Sequence, residues 1–201
     1  MNFSNLKSNA KQQIKGKIGI LFLITLVIAL LSALASIVLG LIPVVGSLLA
    51  SIVVTPAFSL SLVMVYMSVA KGQNVEVSNA FDGFKDFWSA FKVTFLVGLF
   101  TFLWSLLFII PGIIKSYSYS MSMYILAENP GKPALECIDE SKKMMDGHKM
   151  DLFIFQLSFI GWWLLCIVTL GIATIWVGPY MAVSMVNFYN EIKPKPVNIE
   201  E

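Results

Sequence analysis

Residues 18–70 read IGILFLITLVIALLSALASIVLGLIPVVGSLLASIVVTPAFSLSLVMVYMSVA, 53 positions between Lys17 and Lys71 without a charged side chain. A bilayer core of ~30 Å is crossed by about 20 apolar residues in a helix. The stretch is therefore long enough for two crossings and a turn. The turn falls at Leu41-Ile42-Pro43-Val44-Val45-Gly46, where Pro and Gly punctuate the helices. Two further charge-free runs follow, 22 residues between Lys92 and Lys115 and 39 between Asp151 and Glu191. Over all 201 residues only 13% are charged and 57% are hydrophobic, against about 25% charged in ordinary soluble domains. Disorder needs low hydrophobicity and high charge, and is excluded. The fold class is all-α: a polytopic membrane helix bundle.

The pattern predicts six transmembrane helices in three hairpins: Ile18–Leu41 with Ser47–Ala70, Val93–Ile110 with Gly112–Ala127, and Leu152–Leu170 with Ile172–Asn190. The second and third apices are Ile110-Pro111-Gly112 and Thr169-Leu170-Gly171. The fourth helix is the short one; sixteen residues rise only ~24 Å. Lys7 to Lys17 followed by Ile18–Leu30 and Ala33-Leu34-Ala35 also resembles a secretory signal with a cleavage site. The apolar run continues to Ile42, however, which favours an uncleaved crossing.

Charge fixes the expected orientation. Residues 1–17, 71–92, 128–151 and 191–201 hold thirteen of the fourteen lysines and all twelve acids. Six crossings put these four stretches on one side, and the positive-inside rule makes that side the cytoplasm, with both termini there. The chain then reads as one membrane domain. A cytoplasmic amphipathic segment (1–17) leads into the first hairpin (18–70), and an interfacial helix (71–92) into the second (93–127). A further interfacial helix (128–151) leads into the third (152–190), before a cytoplasmic tail (191–201).

Three apolar stripes support the surface helices: Phe3, Leu6, Ala10 and Ile14; Val77, Phe81, Phe84, Trp88 and Phe91; and Leu135, Ile138 and Met145. Ile14-Lys15-Gly16, Phe81-Asp82-Gly83 and Met145-Asp146-Gly147 mark a three-unit internal repeat. Pro56, Ser61 and Tyr66 match Pro179, Ser184 and Tyr189 at identical intervals; the second unit departs from this spacing.

Candidate chemistry is sparse. Lys115 is the one charge outside the four stretches. Either it snorkels to the outer headgroups, or it lines a polar cavity and meets an anion. Lys115, Ser118, Tyr119 and Ser122 share one helical face and are the ligand- or lipid-binding candidates. Interhelical hydrogen bonding explains the hydroxyls equally well. Lys142, Lys143 and Lys149 are the anionic-lipid interface candidates, although Asp139, Glu140, Asp146 and Asp151 are interspersed with them. Trp88, Trp162, Trp163, Trp176 and Tyr189 suit belt or packing positions; Trp104 and Tyr66 have no evident role.

One histidine and two cysteines in unlike settings assemble no metal site and no disulfide framework. No carboxylate lies within a predicted crossing, so catalytic and metal residues, and cofactors, are expected to be none. The chain carries no Arg and a net charge of +2, which leaves nucleic acid without its usual footprint. The expected partners are membrane lipids, other membrane proteins or a second copy.

Pro111-Gly112-Ile113-Ile114-Lys115-Ser116-Tyr117-Ser118-Tyr119-Ser120-Met121 resembles the signature of the Domain of Unknown Function 975 family. So do Ser141-Lys142-Lys143-Met144-Met145-Asp146-Gly147, Phe159-Ile160-Gly161-Trp162, and Gly178-Pro179-Tyr180 with Phe188-Tyr189. The resemblance runs from about Lys15 to Ile192. It implies an integral membrane protein of the bacterial cytoplasmic membrane, mainly in Gram-positive organisms. It also implies kinship with membrane domains fused to glycerophosphodiester phosphodiesterases, and brings no activity and no catalytic residue.

The functional expectation is a non-enzymatic lipid- or protein-binding, scaffold or immunity-type membrane protein. The alternative is a small transporter or export component with its polar path along the Lys115 face. A membrane-embedded enzyme acting on lipid headgroups is disfavoured because the crossings lack acid–base groups.

Overall fold

The computed structural model describes residues 2–40 and 45–194. The first expected apex, at 41–44, and the tail beyond Pro194 lie outside the described residues. Among the described residues all regular structure is helical. The elements are α1 (Phe3–Ile14), α2 (Ile18–Gly40), α3 (Val45–Ala70), a 3-10 helix (Val77–Asp86), α4 (Phe87–Leu107), α5 (Ile109–Tyr119), α6 (Ser122–Glu128), α7 (Ala134–Met144), α8 (Lys149–Leu157), α9 (Ile160–Val168) and α10 (Thr174–Ile192). Three helical stretches are long and apolar enough to cross a membrane: Ile18–Val38, Val77–Leu106 and Lys149–Val168.

Contacts at matching depths set the helix directions. Thr25 Oγ1 lies 3.5 Å from Tyr66 Oη and Lys17 Nζ donates to the Gln73 carbonyl, so α2 and α3 run antiparallel. Phe100 beside Tyr119, and Lys115 over Trp104, give the same sense for α4 and α5. Phe155 on Phe188 and Phe159 on Tyr180 give it for α8–α9 against α10. The interior is built around α3 and α10, with Leu60, Val65, Val183, Phe188 and Tyr189 all buried. The outer faces of α2, α4 and α9 leave Leu30, Ile37, Phe102, Leu106 and Ile167 open. Such a contiguous apolar exterior is what lipid covers.

Four expectations change. The stripe Val77-Phe81-Phe84-Trp88-Phe91 is drawn on an α-helix lying in the membrane surface. Residues 77–86 instead form a 3-10 helix whose buried face is Ala80 and Gly83, while Phe81, Phe84 and Trp88 are exposed. The cause is close backbone approach. A Cβ on Gly83 would stand 2.2 Å from the Ala57 carbonyl oxygen, and Gly83 N donates to Ser61 Oγ at 2.9 Å. Only glycine allows that contact.

In the third surface stripe Ile138 and Met145 are buried but Leu135 is exposed, and Ala134, Cys137 and Ser141 complete the buried face. The second apex moves earlier, to Phe108, which is extended. Pro111 then sits in the first turn of α5, where its missing N–H costs nothing, and Gly112 packs on Ser105. Finally, Gly112–Ala127 and Leu152–Leu170 are not continuous helices. They break at Ser120–Met121 and Ser158–Phe159. Between α9 and α10 the chain turns at Leu170 and Gly171, with positive φ of 49° and 88°, and Thr169 Oγ1 accepts from Ala173 N at 3.1 Å.

The described parts of the charge-bearing stretches, residues 2–17, 71–92, 128–151 and 191–194, meet at one end. Gln13 Nε2 donates to the Ala70 carbonyl at 2.8 Å and Asn187 Nδ2 to the Leu6 carbonyl at 3.1 Å. Asp86 accepts from Gly131 N at 2.6 Å, and Lys193 Nζ reaches Glu128 at 2.6 Å.

Candidate functional site

The serine- and tyrosine-rich helix begins as α5 and is severed by a side chain from α7. Ser141 Oγ donates to the Ser118 carbonyl at 2.8 Å and accepts from Met121 N at 3.1 Å. It takes over groups that the helical ladder would use, which is a recognised cause of kinks. Ser118 and Tyr119 are buried on the near side of the break and Ser122 on the far side, so the expected continuous face is interrupted. Ser118 Oγ donates to the Ile114 carbonyl at 3.1 Å, and Tyr119 lies against Phe100 with centroids 6.2 Å apart. Lys115 is half-buried and its ammonium rests 4.6 Å from the centroid of Trp104, giving that tryptophan a role. A cation over an indole face is stabilised without a carboxylate.

A larger opening lies at the charged end. A cleft of about 690 Å³ is lined by Glu128, Glu140, Lys143, His148, Tyr189 and Lys193, among others. Glu128, at the end of α6, accepts from Tyr189 Oη and Lys193 Nζ, both at 2.6 Å. Burial alone would raise its carboxyl, but these two donors outweigh that and hold it below its ordinary value. Glu140 pairs with Lys132, and the hydrogen bond to Glu140 raises the lysine's pKa. Of the expected cationic interface, Lys143 lines this cleft, Lys142 pairs with Asp139 at 3.0 Å, and Lys149 opens α8. Asp146 lines the same cleft, and His148 Nδ1 meets Asp151 at 3.0 Å. The three lysines are therefore threaded through acids rather than gathered into a positive patch.

Cys137 is buried, and that burial pushes its thiol up to about 11. Cys137 and Cys166 are free cysteines. Among the described residues no group of three or more His, Cys, Asp or Glu could hold a metal ion. Sequence reading missed Glu128 and Lys193 because each is a single charge at a helix end. The signal was the tyrosine spacing: Tyr189 matches Tyr66 in the repeat, and its ring stacks on Tyr124 at 5.6 Å.

The fold therefore defines an all-helical protein with an apolar belt, helices suited to a bilayer and one charged end. The chain belongs to the family described as "Protein of unknown function (DUF975)", which matches residues 1–115 and 106–195. No curated protein and no solved structure gives a significant match.

Proposed function

We propose that this chain is a multi-pass protein of the bacterial cytoplasmic membrane. It crosses six times with both termini in the cytoplasm and acts without catalysis. It binds membrane lipids and neighbouring membrane proteins, as a scaffold or an immunity-type protein does. The observation carrying the reading is the meeting of residues 2–17, 71–92, 128–151 and 191–193 at one end through Gln13–Ala70, Asp86–Gly131 and Glu128–Lys193. An even number of crossings between charged stretches brings them together there, and the lysine bias assigns that end to the cytoplasm. The broken limb α5–α6 then serves as the fourth crossing, supported along its length by α4 and α7.

The binding reading is preferred over transport because Ser118, Tyr119 and Ser122 are buried in packing. A polar path would need them wet. Single cysteines replacing Glu76, Glu140 and Leu170, in a chain with both native cysteines changed to serine, test the reading in intact cells. A membrane-impermeant maleimide should label position 170 from outside, and positions 76 and 140 only after permeabilisation. Labelling of 76 and 140 from opposite sides overturns the six-crossing arrangement. Cysteine at Ser118 or Ser122 should resist the reagent from both sides; reaction there overturns the binding reading in favour of a water-accessible path.

A further inference from the structure

The four lysines of residues 1–17 divide into two kinds. Lys7 Nζ donates to the Ser158 carbonyl at 3.0 Å and sits 4.2 Å from the centroid of Phe159, so it is consumed at the α8–α9 break. Lys17 Nζ is consumed by the Gln73 carbonyl. Lys11 and Lys15 have no carboxylate or carbonyl acceptor among the described residues, and both are exposed. They stand over a groove of about 250 Å³ between α1, α9 and α10. Ile14, Ile18, Val177 and Tyr180 line it. Trp162 and Trp176 flank it, and Trp176 is 52% exposed.

Two features decide what fits. The Lys11 ammonium lies 5.9 Å from the Trp162 ring centroid and 5.7 Å from that of Tyr180, beside two rings that line the groove. The charge around it is of one sign. α1 has no acid, and residues 152–190 have no charge at all. The contrast with Lys142, Lys143 and Lys149, each close in sequence to carboxylates, is complete.

We propose that this groove holds one acyl chain of an anionic phospholipid, with the phosphate lying between the Lys11 and Lys15 ammoniums. Lys11 lies in the last turn of α1 and Lys15 caps its end, and both line the groove, so a single phosphate at its rim meets two cations. A zwitterionic lipid would fill the same apolar walls but bring its own cation towards two ammoniums. The site thus selects by headgroup charge and holds by the chain. The inference deepens the proposed lipid-binding role by naming the lipid class, and it rests on that reading.

Native mass spectrometry of the full chain released from detergent, titrated with phosphatidylglycerol or with phosphatidylcholine of the same acyl chains, tests the proposal. The expected result is one phosphatidylglycerol held more tightly than phosphatidylcholine, by on the order of tenfold. Lys11→Gln with Lys15→Gln should bring phosphatidylglycerol down to the phosphatidylcholine level. Lys11→Arg with Lys15→Arg should keep the preference and so control for folding. Trp176→Ala should weaken both lipids, and neutralising Lys142, Lys143 and Lys149 should leave the preference intact. The proposal is overturned if the preference survives the glutamine pair, if it disappears equally in the triple variant, or if inorganic phosphate displaces the lipid. Crossing number is read separately by the maleimide mapping. A failed map with the preference intact removes the six-crossing reading and keeps the groove, and the reverse result removes the groove alone.

Discussion

Gly83 shows how one missing methyl fixes an arrangement of helices. Its neighbours are the Ala57 carbonyl, Ser61 N and Ser61 Oγ, and an added Cβ would lie 2.2, 2.6 and 2.7 Å from them. Two of these atoms are backbone and cannot move aside. Gly83→Ala should lower the detergent-solubilised protein's stability by about 1–3 kcal/mol, the cost of overpacking. Gly98→Ala should leave the melting temperature nearly unchanged, because nothing lies within 4 Å of a Cβ there. Equal melting temperatures for the two variants would refute the close-approach account.

Glu128 carries a prediction of pH dependence at the same scale. Lys193 and Tyr189 hold its carboxyl below the ordinary glutamate value of 4.5 despite the opposing effect of burial. The unfolded chain therefore binds this proton more readily than the folded one. The group's stabilisation is present above its unfolded value and lost as pH falls through the folded value. The stability difference between wild type and Glu128→Gln should be largest near neutrality and shrink on acidification below about pH 4.5. A difference that grows with acid would reverse the sign.

At the level of elements, the sequence carried more than one period, and only one was read. Glu76, Asn79, Asp82 and Lys85 form a polar ladder at every third residue: Asn79 Oδ1 accepts from Glu76 N at 2.8 Å, Asn79 Nδ2 donates to Asp82 at 2.7 Å, and Lys85 pairs with Asp82 at 2.7 Å. Ala80 and Gly83 form a second ladder, and Phe81 and Phe84 a third. That is the three-residue turn of a 3-10 helix, legible once a period of three is tried against 3.6. The helix breaks were not legible, because each involves a residue distant in sequence. The Ser120–Met121 break needs Ser141, twenty residues from Met121. At the Ser158 break the freed carbonyl accepts from Lys7, 151 residues away. Hydropathy reads the apolar run and not the partner that interrupts it. Ser141→Ala strips the buried Ser118 carbonyl and Met121 N of a partner at once. It should cost about 1–3 kcal/mol, whereas Ser116→Ala, whose exposed hydroxyl only returns to the Ile113 carbonyl, should cost little. A Ser141→Ala melting temperature equal to wild type would mean the helix closes the break by itself.

The whole molecule turns the weak internal repeat into an order of docking. The 3-10 helix sits on α3, the second limb of the first pair, through Gly83 and Ser61. α7 sits on the α5–α6 limb of the second, through Ser141. α1 sits on α10, the second limb of the last, so the first element of the chain closes a ring that the last opens. Ser61 and Ser184, matched by spacing, are both fully buried and both bond back to the carbonyl four residues earlier. The closure is held by Asn187, whose Nδ2 donates to the Leu6 carbonyl at 3.1 Å and to Gln13 Oε1 at 2.9 Å, while Gln13 Nε2 donates on to Ala70. Sequence reading reached α1 as an amphipathic surface helix and named its buried residues, but its seat depends on a residue 174 positions from Gln13. A helix that merely floats on the membrane would be indifferent to Asn187. In a docked ring, Asn187→Ala and Gln13→Ala should each destabilise, and a double-mutant cycle should return a coupling of about 0.5–3 kcal/mol, as for residues in direct contact. Additive effects in that cycle would detach α1 from the bundle and leave the one-ended gathering of charge without its keystone.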